Sequence, residues 1–235
     1  MVNDKIFGAA MVVYLVASVV YLIYTVSRNK KVGMAATLIT LGGFLVNTAA
    51  IGVRWVESYK LGFGYVPLSN MYESMVFFSW STVLIYLIFE YFYGYKAIGV
   101  LATALGFLGI AIVSLTGVSS EIQPLVPALQ SNWLTAHVVT CFVGYAAFAV
   151  SYSICILYLI STKDLKQVLI LSLHPLVLPL LVSFIKYGNI KPNLITADNH
   201  VAMWIVTAVV GAAFFGLYLV FYRGGALLPL LKIMY

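Results

Sequence analysis

The sequence predicts an all-α fold: a polytopic membrane helix bundle of about seven transmembrane helices, N-terminus out and C-terminus in, forming one integral membrane domain over residues 1–235. Three observations predict it. First, 63% of the 235 residues are hydrophobic and only 9% are charged, with a mean hydropathy of +1.04. A soluble domain carries about 25% charged residues, so this chain lacks the polar groups to cover a water-facing surface. Second, the apolar residues gather into seven runs, each long enough for a bilayer core that needs about 20 residues per helix. Third, the basic residues are unevenly shared between the two sides of those runs. With the N-terminus outside, the inner segments hold 8 of them (Arg28, Lys30, Lys31, Lys96, Lys163, Lys166, Arg223, Lys232) and the outer segments 5 (Lys5, Arg54, Lys60, Lys186, Lys191). That bias sets the expected orientation. The cations form no stripe or patch, which excludes nucleic acid as a partner and leaves membrane lipid.

The first run, Phe7–Val26, has neither a basic leader nor a small-residue cleavage site, so it reads as a retained span and not a removable signal peptide. The cluster Arg28–Lys31 follows it and carries most of the orienting charge. The second run is Met34–Val53. After it comes the polar stretch Arg54–Met71, where Gly62-Phe63-Gly64, Tyr65 and Pro67 describe an ordered loop. The third run, Tyr72–Tyr91, opens on a capping pattern of Ser69, Asn70 and Glu73. The fourth, Ile98–Val118, contains Ala102 and Gly106, a small-xxx-small pair suited to close helix packing. A second polar stretch, Ser119–Asn132, leads to the long fifth run, Trp133–Ile160. Its two cysteines, Cys141 and Cys155, are 14 residues apart. At 1.5 Å per residue that is roughly 21 Å, beyond disulfide reach. The sixth run is Val168–Tyr187 and the seventh Val201–Tyr222, with Gly188–His200 between them. In this topology all three long polar stretches face outward.

Ionisable groups inside spans are costly and mark candidate sites. Of three histidines, His137 lies one turn into the fifth run and His200 directly before the seventh, both at the expected outer face. Two neutral imidazoles at one depth on different helices can grip a haem iron axially from both sides. Trp133 stands four residues before His137 and Trp204 four after His200, so each ring shares a helix face with its histidine. The interfacial aromatic belt explains the tryptophans equally well. Zinc is less suited, because no further ligand has the right spacing. His174, followed by Pro175, lies in the inner half of the sixth run. A proline kink beside a polar ring can line a cavity, such as a quinone pocket or a second haem position, or can simply pack.

Two stretches, "VPLSNMYESMVFFSW" (Val66–Trp80) and "LVPALQSNWLTAHVVTCFVGYAAF" (Leu125–Phe148), together resemble the CcsA/ResC-type cytochrome c assembly proteins. The resemblance is strongest over residues 34–160. It implies that His137 is an external haem ligand, and it places Asn70 and Glu73, in the first motif, beside the cofactor. The chain departs from the family in one respect: the tryptophan-rich signature W-G-x-x-W-x-W-D is not present, and Trp55, Trp80, Trp133 and Trp204 lie far apart.

The resulting expectation is a haem-binding membrane protein in a bacterial cytoplasmic membrane, its long loops facing the periplasm. It would hold haem b non-covalently between His137 and His200, with the loop Gly62–Glu73 folded over the slot. The first functional reading is a quinone-linked electron-transfer anchor for an outer-facing multihaem or c-type cytochrome. The alternatives are a haem-delivery or scaffold component of cytochrome c biogenesis, working with other membrane subunits, and a cofactor-free structural subunit. No residue is assigned a catalytic role.

Overall fold

The structure is a computed structural model that describes residues 2–115, 118–127 and 130–161, with isolated helical positions at 166, 208, 212 and 216. The chain divides into two compact units, Met1–Ile154 and Cys155–Tyr235. All regular structure among the described residues is helical: α1 (Val2–Ser27), α2 (Lys30–Lys60), α3 (Met71–Tyr93), α4 (Gly99–Leu115) behind a single 3-10 turn at Lys96–Ile98, and α5 (Asn132–Ser161). Each of the five is long and apolar enough to cross a membrane, α4 together with its 3-10 turn. They correspond to the first five predicted runs. The predicted spans Val168–Tyr187 and Val201–Tyr222 lie outside the described residues.

Local chemistry sets the ends. The Asn29 side chain accepts from Lys31 N at 2.9 Å and caps α2. Asn70 caps α3 in the same way, accepting from Glu73 N at 2.9 Å. At the other end of α3, Gly94 takes a left-handed φ of 73° and donates to the Glu90 carbonyl. α2 continues seven residues past the apolar run, because Arg54 and Ser58 keep to the buried face already formed by Gly43, Asn47 and Ala50.

In the first unit α1 packs against α2 and α4, and α3 against α4 and α2. Phe7, Ala10 and Tyr14 of α1, Ala50 of α2, Tyr72, Val76 and Val83 of α3 and Ile110 and Val113 of α4 form one core. The α3–α4 seam is closer than side chains normally allow. A Cβ on Gly109 would come within 2.1 Å of Ser79 Oγ, and one on Gly106 within 2.9 Å of Val83 Cγ2. Gly106 and Gly109 thus form a small-residue seam, and Ala102, one turn before Gly106, is fully buried.

The surface is apolar while the interior holds polar groups. Val12, Val16, Val19 and Ile23 on α1 and Leu38 and Leu45 on α2 are exposed, whereas Asn47, Thr82 and Thr103 are buried. Such a surface suits lipid. The hydroxyls of Thr40, Thr82, Thr103 and Ser153 each donate to the carbonyl four residues earlier. This satisfies them without water, as a membrane interior demands. α5 meets α3 through Phe142, whose ring stands edge-on to Phe77. Phe77 in turn stacks on Trp80, and Trp80 on Phe44 of α2.

Candidate functional site

Four chain segments meet at the end of the bundle where α2 stops and α3 starts, and a buried arginine joins them. Arg54 is 1% exposed. Its Nε donates to Glu73 Oε1 at 2.7 Å. Nη1 donates to the Ser120 carbonyl at 2.8 Å and to Asn3 Oδ1 at 3.4 Å, and Nη2 reaches the Glu121 carbonyl at 3.5 Å. The guanidinium also lies 5.3 Å from the centre of the Tyr72 ring. The other oxygen of Glu73 accepts from the backbone N and the hydroxyl of Ser69, each at 2.7 Å. Asn70, besides capping α3, donates from its amide to the Glu121 carbonyl at 3.2 Å. Glu73 and Asn70, both singled out from the sequence, therefore sit in this network.

The loop after α2 turns through Gly62 (φ 81°) and Gly64 (φ 65°), conformations that glycine adopts without strain. It carries Phe63 and Tyr65, whose rings stack at 6.3 Å. The Tyr65 hydroxyl donates to the Gln123 carbonyl. Burial pushes its phenol above the ordinary value. Between this loop, Trp55 and Tyr59 of α2, Leu125, and Gln130–Asn132 and Thr135 at the start of α5 lies a half-open cavity of about 360 Å³. Its rim is aromatic, and the α5 side supplies amides and hydroxyls.

α5 starts where Ser131 accepts from Trp133 N through its hydroxyl and from Thr135 N through its carbonyl. Trp133 is 83% exposed, and His137 is exposed one turn along the same face. Among the described residues, the contact of the His137 ring is with Cys141, whose Sγ lies 3.6 Å from Nε2. The loop does reach α5, but on Leu134, Thr135 and Val138. At 3.6 residues per turn that face is centred roughly 100° around the helix from His137. The expected cover over His137 is thus a wall beside it. His200, Trp204 and His174 lie outside the described residues.

The opposite end of the bundle holds a cluster that sequence reasoning missed. Glu90, near the end of α3, accepts from Tyr21 at 2.6 Å and from Tyr86 on one oxygen. On the other it accepts from Thr37 and pairs with Lys96. Arg54 was missed likewise, counted only as an orienting charge. Its signal was available: continuing the α2 face by seven residues from Asn47 lands on it.

Residues 68–221, well over half of the chain, match the cytochrome c assembly protein family. The chain is 38% identical over 133 residues to the cytochrome c biogenesis protein CcsA of Microcystis aeruginosa, covering 56% of this chain and 39% of the relative. The CcsA proteins of a Picosynechococcus strain and of Synechococcus elongatus are 38% and 37% identical, over 54% and 51% of this chain and 38% and 36% of theirs. The chain thus spans about two-fifths of the length of these relatives. No solved structure matches it. It is a membrane protein belonging to the cytochrome c assembly family.

Proposed function

We propose that this chain handles haem in cytochrome c biogenesis, at the face of the membrane where Arg54 and His137 lie, and that His137 is an axial ligand to a non-covalently held haem b. The observation that carries this reading is the state of His137. A histidine kept only for packing is buried and bonded to a backbone carbonyl. Here the ring stands exposed at the membrane-proximal start of α5, within the family-matched region, with a thiol as its described neighbour. Such a ring is open to a metal. Trp133 on the same face offers a flat apolar surface to a macrocycle. When bound, the haem supplies the iron and the vinyl groups on which a c-type cytochrome is built. His137 would hold the iron of that group, and Trp133 would exclude water on its side of the ring. His200 is the proposed second ligand, as the sequence suggests, and a c-type cytochrome is the proposed recipient.

Family membership favours biogenesis over the quinone-linked electron-transfer anchor. The test is spectroscopic. Purified full chain is expected to show a reduced-minus-oxidised haem b spectrum, His137→Ala to lose most of it, and added imidazole to restore part of it by filling the vacated ligand position. An unchanged spectrum in His137→Ala would overturn the assignment.

A further inference from the structure

We propose that Arg54 is a positioning residue: its guanidinium sets both walls of the cavity that lies on α5 beside the face carrying His137. The first wall is the segment 118–127, which carries no α-helix or strand of its own among the described residues. A segment of that kind takes its shape from what its carbonyls accept. Ser120 and Glu121 accept from Arg54, Glu121 also from Asn70, and Gln123 from Tyr65. Leu125, next along, lines the cavity. The second wall is the loop 61–70. Its end is held by the two Ser69 bonds to Glu73, whose other oxygen is held by Arg54.

Stability alone does not explain the residue. Two charges taken out of water cost about what their pairing returns, and apolar replacements of such a pair are often neutral or stabilising. What the guanidinium offers is direction. Its fork of five fixed donors serves acceptors from α1, α3 and segment 118–127 at once, which the single ammonium of lysine cannot do. The pair is therefore expected to govern loop geometry more than bundle stability.

The test uses the full chain with both cysteines replaced by serine and single reporter cysteines reacted with a maleimide. Leu125→Cys reports on the cavity wall. Ala36→Cys, at a fully buried position toward the other end, reports on the bundle. In the double variant Arg54→Met/Glu73→Met, labelling at the wall is expected to rise about fivefold or more while the bundle reporter stays protected, as a local opening requires. Arg54→Lys should give a smaller rise. The exchange Arg54→Glu/Glu73→Arg should not restore protection, because it restores the ion pair but not the fork to the carbonyls. Wall labelling unchanged in the double variant overturns the proposal. So does opening of the bundle reporter, which would make the pair a simple structural brace.

The consequence for haem rests on the function proposed above. Arg54→Lys is expected to retain less haem with its main absorption band unmoved, since the iron ligands are untouched. A shifted band would place Arg54 at the iron and overturn the positioning role. Wild-type chain without haem would instead sink the functional reading and leave the labelling result standing.

Discussion

Glu90 shows how much one side chain can hold in a medium without water. Its two oxygens accept from Tyr21, Tyr86, Thr37 and Lys96, contributed by α1, α3, α2 and the 3-10 turn. Glu90→Leu removes the acceptor that all four donors share, although Thr37 keeps the Gly33 carbonyl, Lys96 the Thr37 hydroxyl and Tyr86 the Lys96 carbonyl. Breaking a buried pair by removing one partner costs about 3–5 kcal/mol, so the variant is expected to lose thermal stability in detergent by that order. Lys96→Ala should lose less, because Lys96 is 26% exposed and its charge is partly hydrated. Equal losses would show that the tyrosines contribute little. None of this was legible in the sequence. Glu90 reads as an ordinary acid at a helix end, and its partners on α1 and α2 lie 69 and 53 positions away. Asn70 and Glu73 were legible as a cap, since capping is a local pattern. That Glu73 also meets Arg54 was not, since that pairing spans a loop.

At the scale of elements, the α3–α4 seam is the most demanding contact. Gly109→Ala would drive a methyl into Ser79 Oγ at 2.1 Å, with the Met75 carbonyl at 3.3 Å behind it. Overpacking of this kind costs about 1–3 kcal/mol. Adding Ser79→Ala to that variant should recover part of the loss, the mark of a direct contact in a double-mutant cycle. Gly8→Ala, where nothing lies within 4 Å, is the control and should cost nothing. The seam was legible because small residues recur at helical spacing and a membrane interface favours them. The extension of α2 to Lys60 was not, because hydropathy alone ends the run at Val53. Tertiary burial of Arg54 and Ser58 carried the helix on. The length of α5 was read to within a residue at each end, since apolar content is nearly continuous from Trp133 to Ile160.

For the whole molecule the quantity to measure is orientation. The basic bias in the sequence predicts that the N-terminus, and with it the Arg54 end, lies on the outer side. With the seven spans that the apolar runs predict, a C-terminal fluorescent reporter that matures only in the cytoplasm should be bright, and a periplasmic reporter at the same place inactive. The reverse pattern would move the proposed haem face to the cytoplasm. Five spans were legible because length and apolarity suffice to find them. The arrangement of His137 was legible only in part. Its depth follows from sequence position, but the turn of α5 that sets it beside the loop wall depends on contacts at Leu134, Thr135 and Val138.

One feature of α3 reaches beyond the protein itself. It is pinned by an acid–cation pair at each end, Glu73 with Arg54 and Glu90 with Lys96, separated by 17 positions. At 1.5 Å per residue that is about 25 Å, slightly less than a hydrocarbon core of roughly 30 Å. The helix is then a calliper: its jaws sit at a set spacing, and the lipid must conform to it or strain a jaw. Mismatch costs fractions of a kcal/mol per ångström. Reconstituted in phosphatidylcholines of increasing chain length, the protein should be most heat-stable in the thinner bilayers and lose stability steadily as the acyl chains lengthen. In Glu90→Gln, where one jaw is loosened, that dependence should flatten.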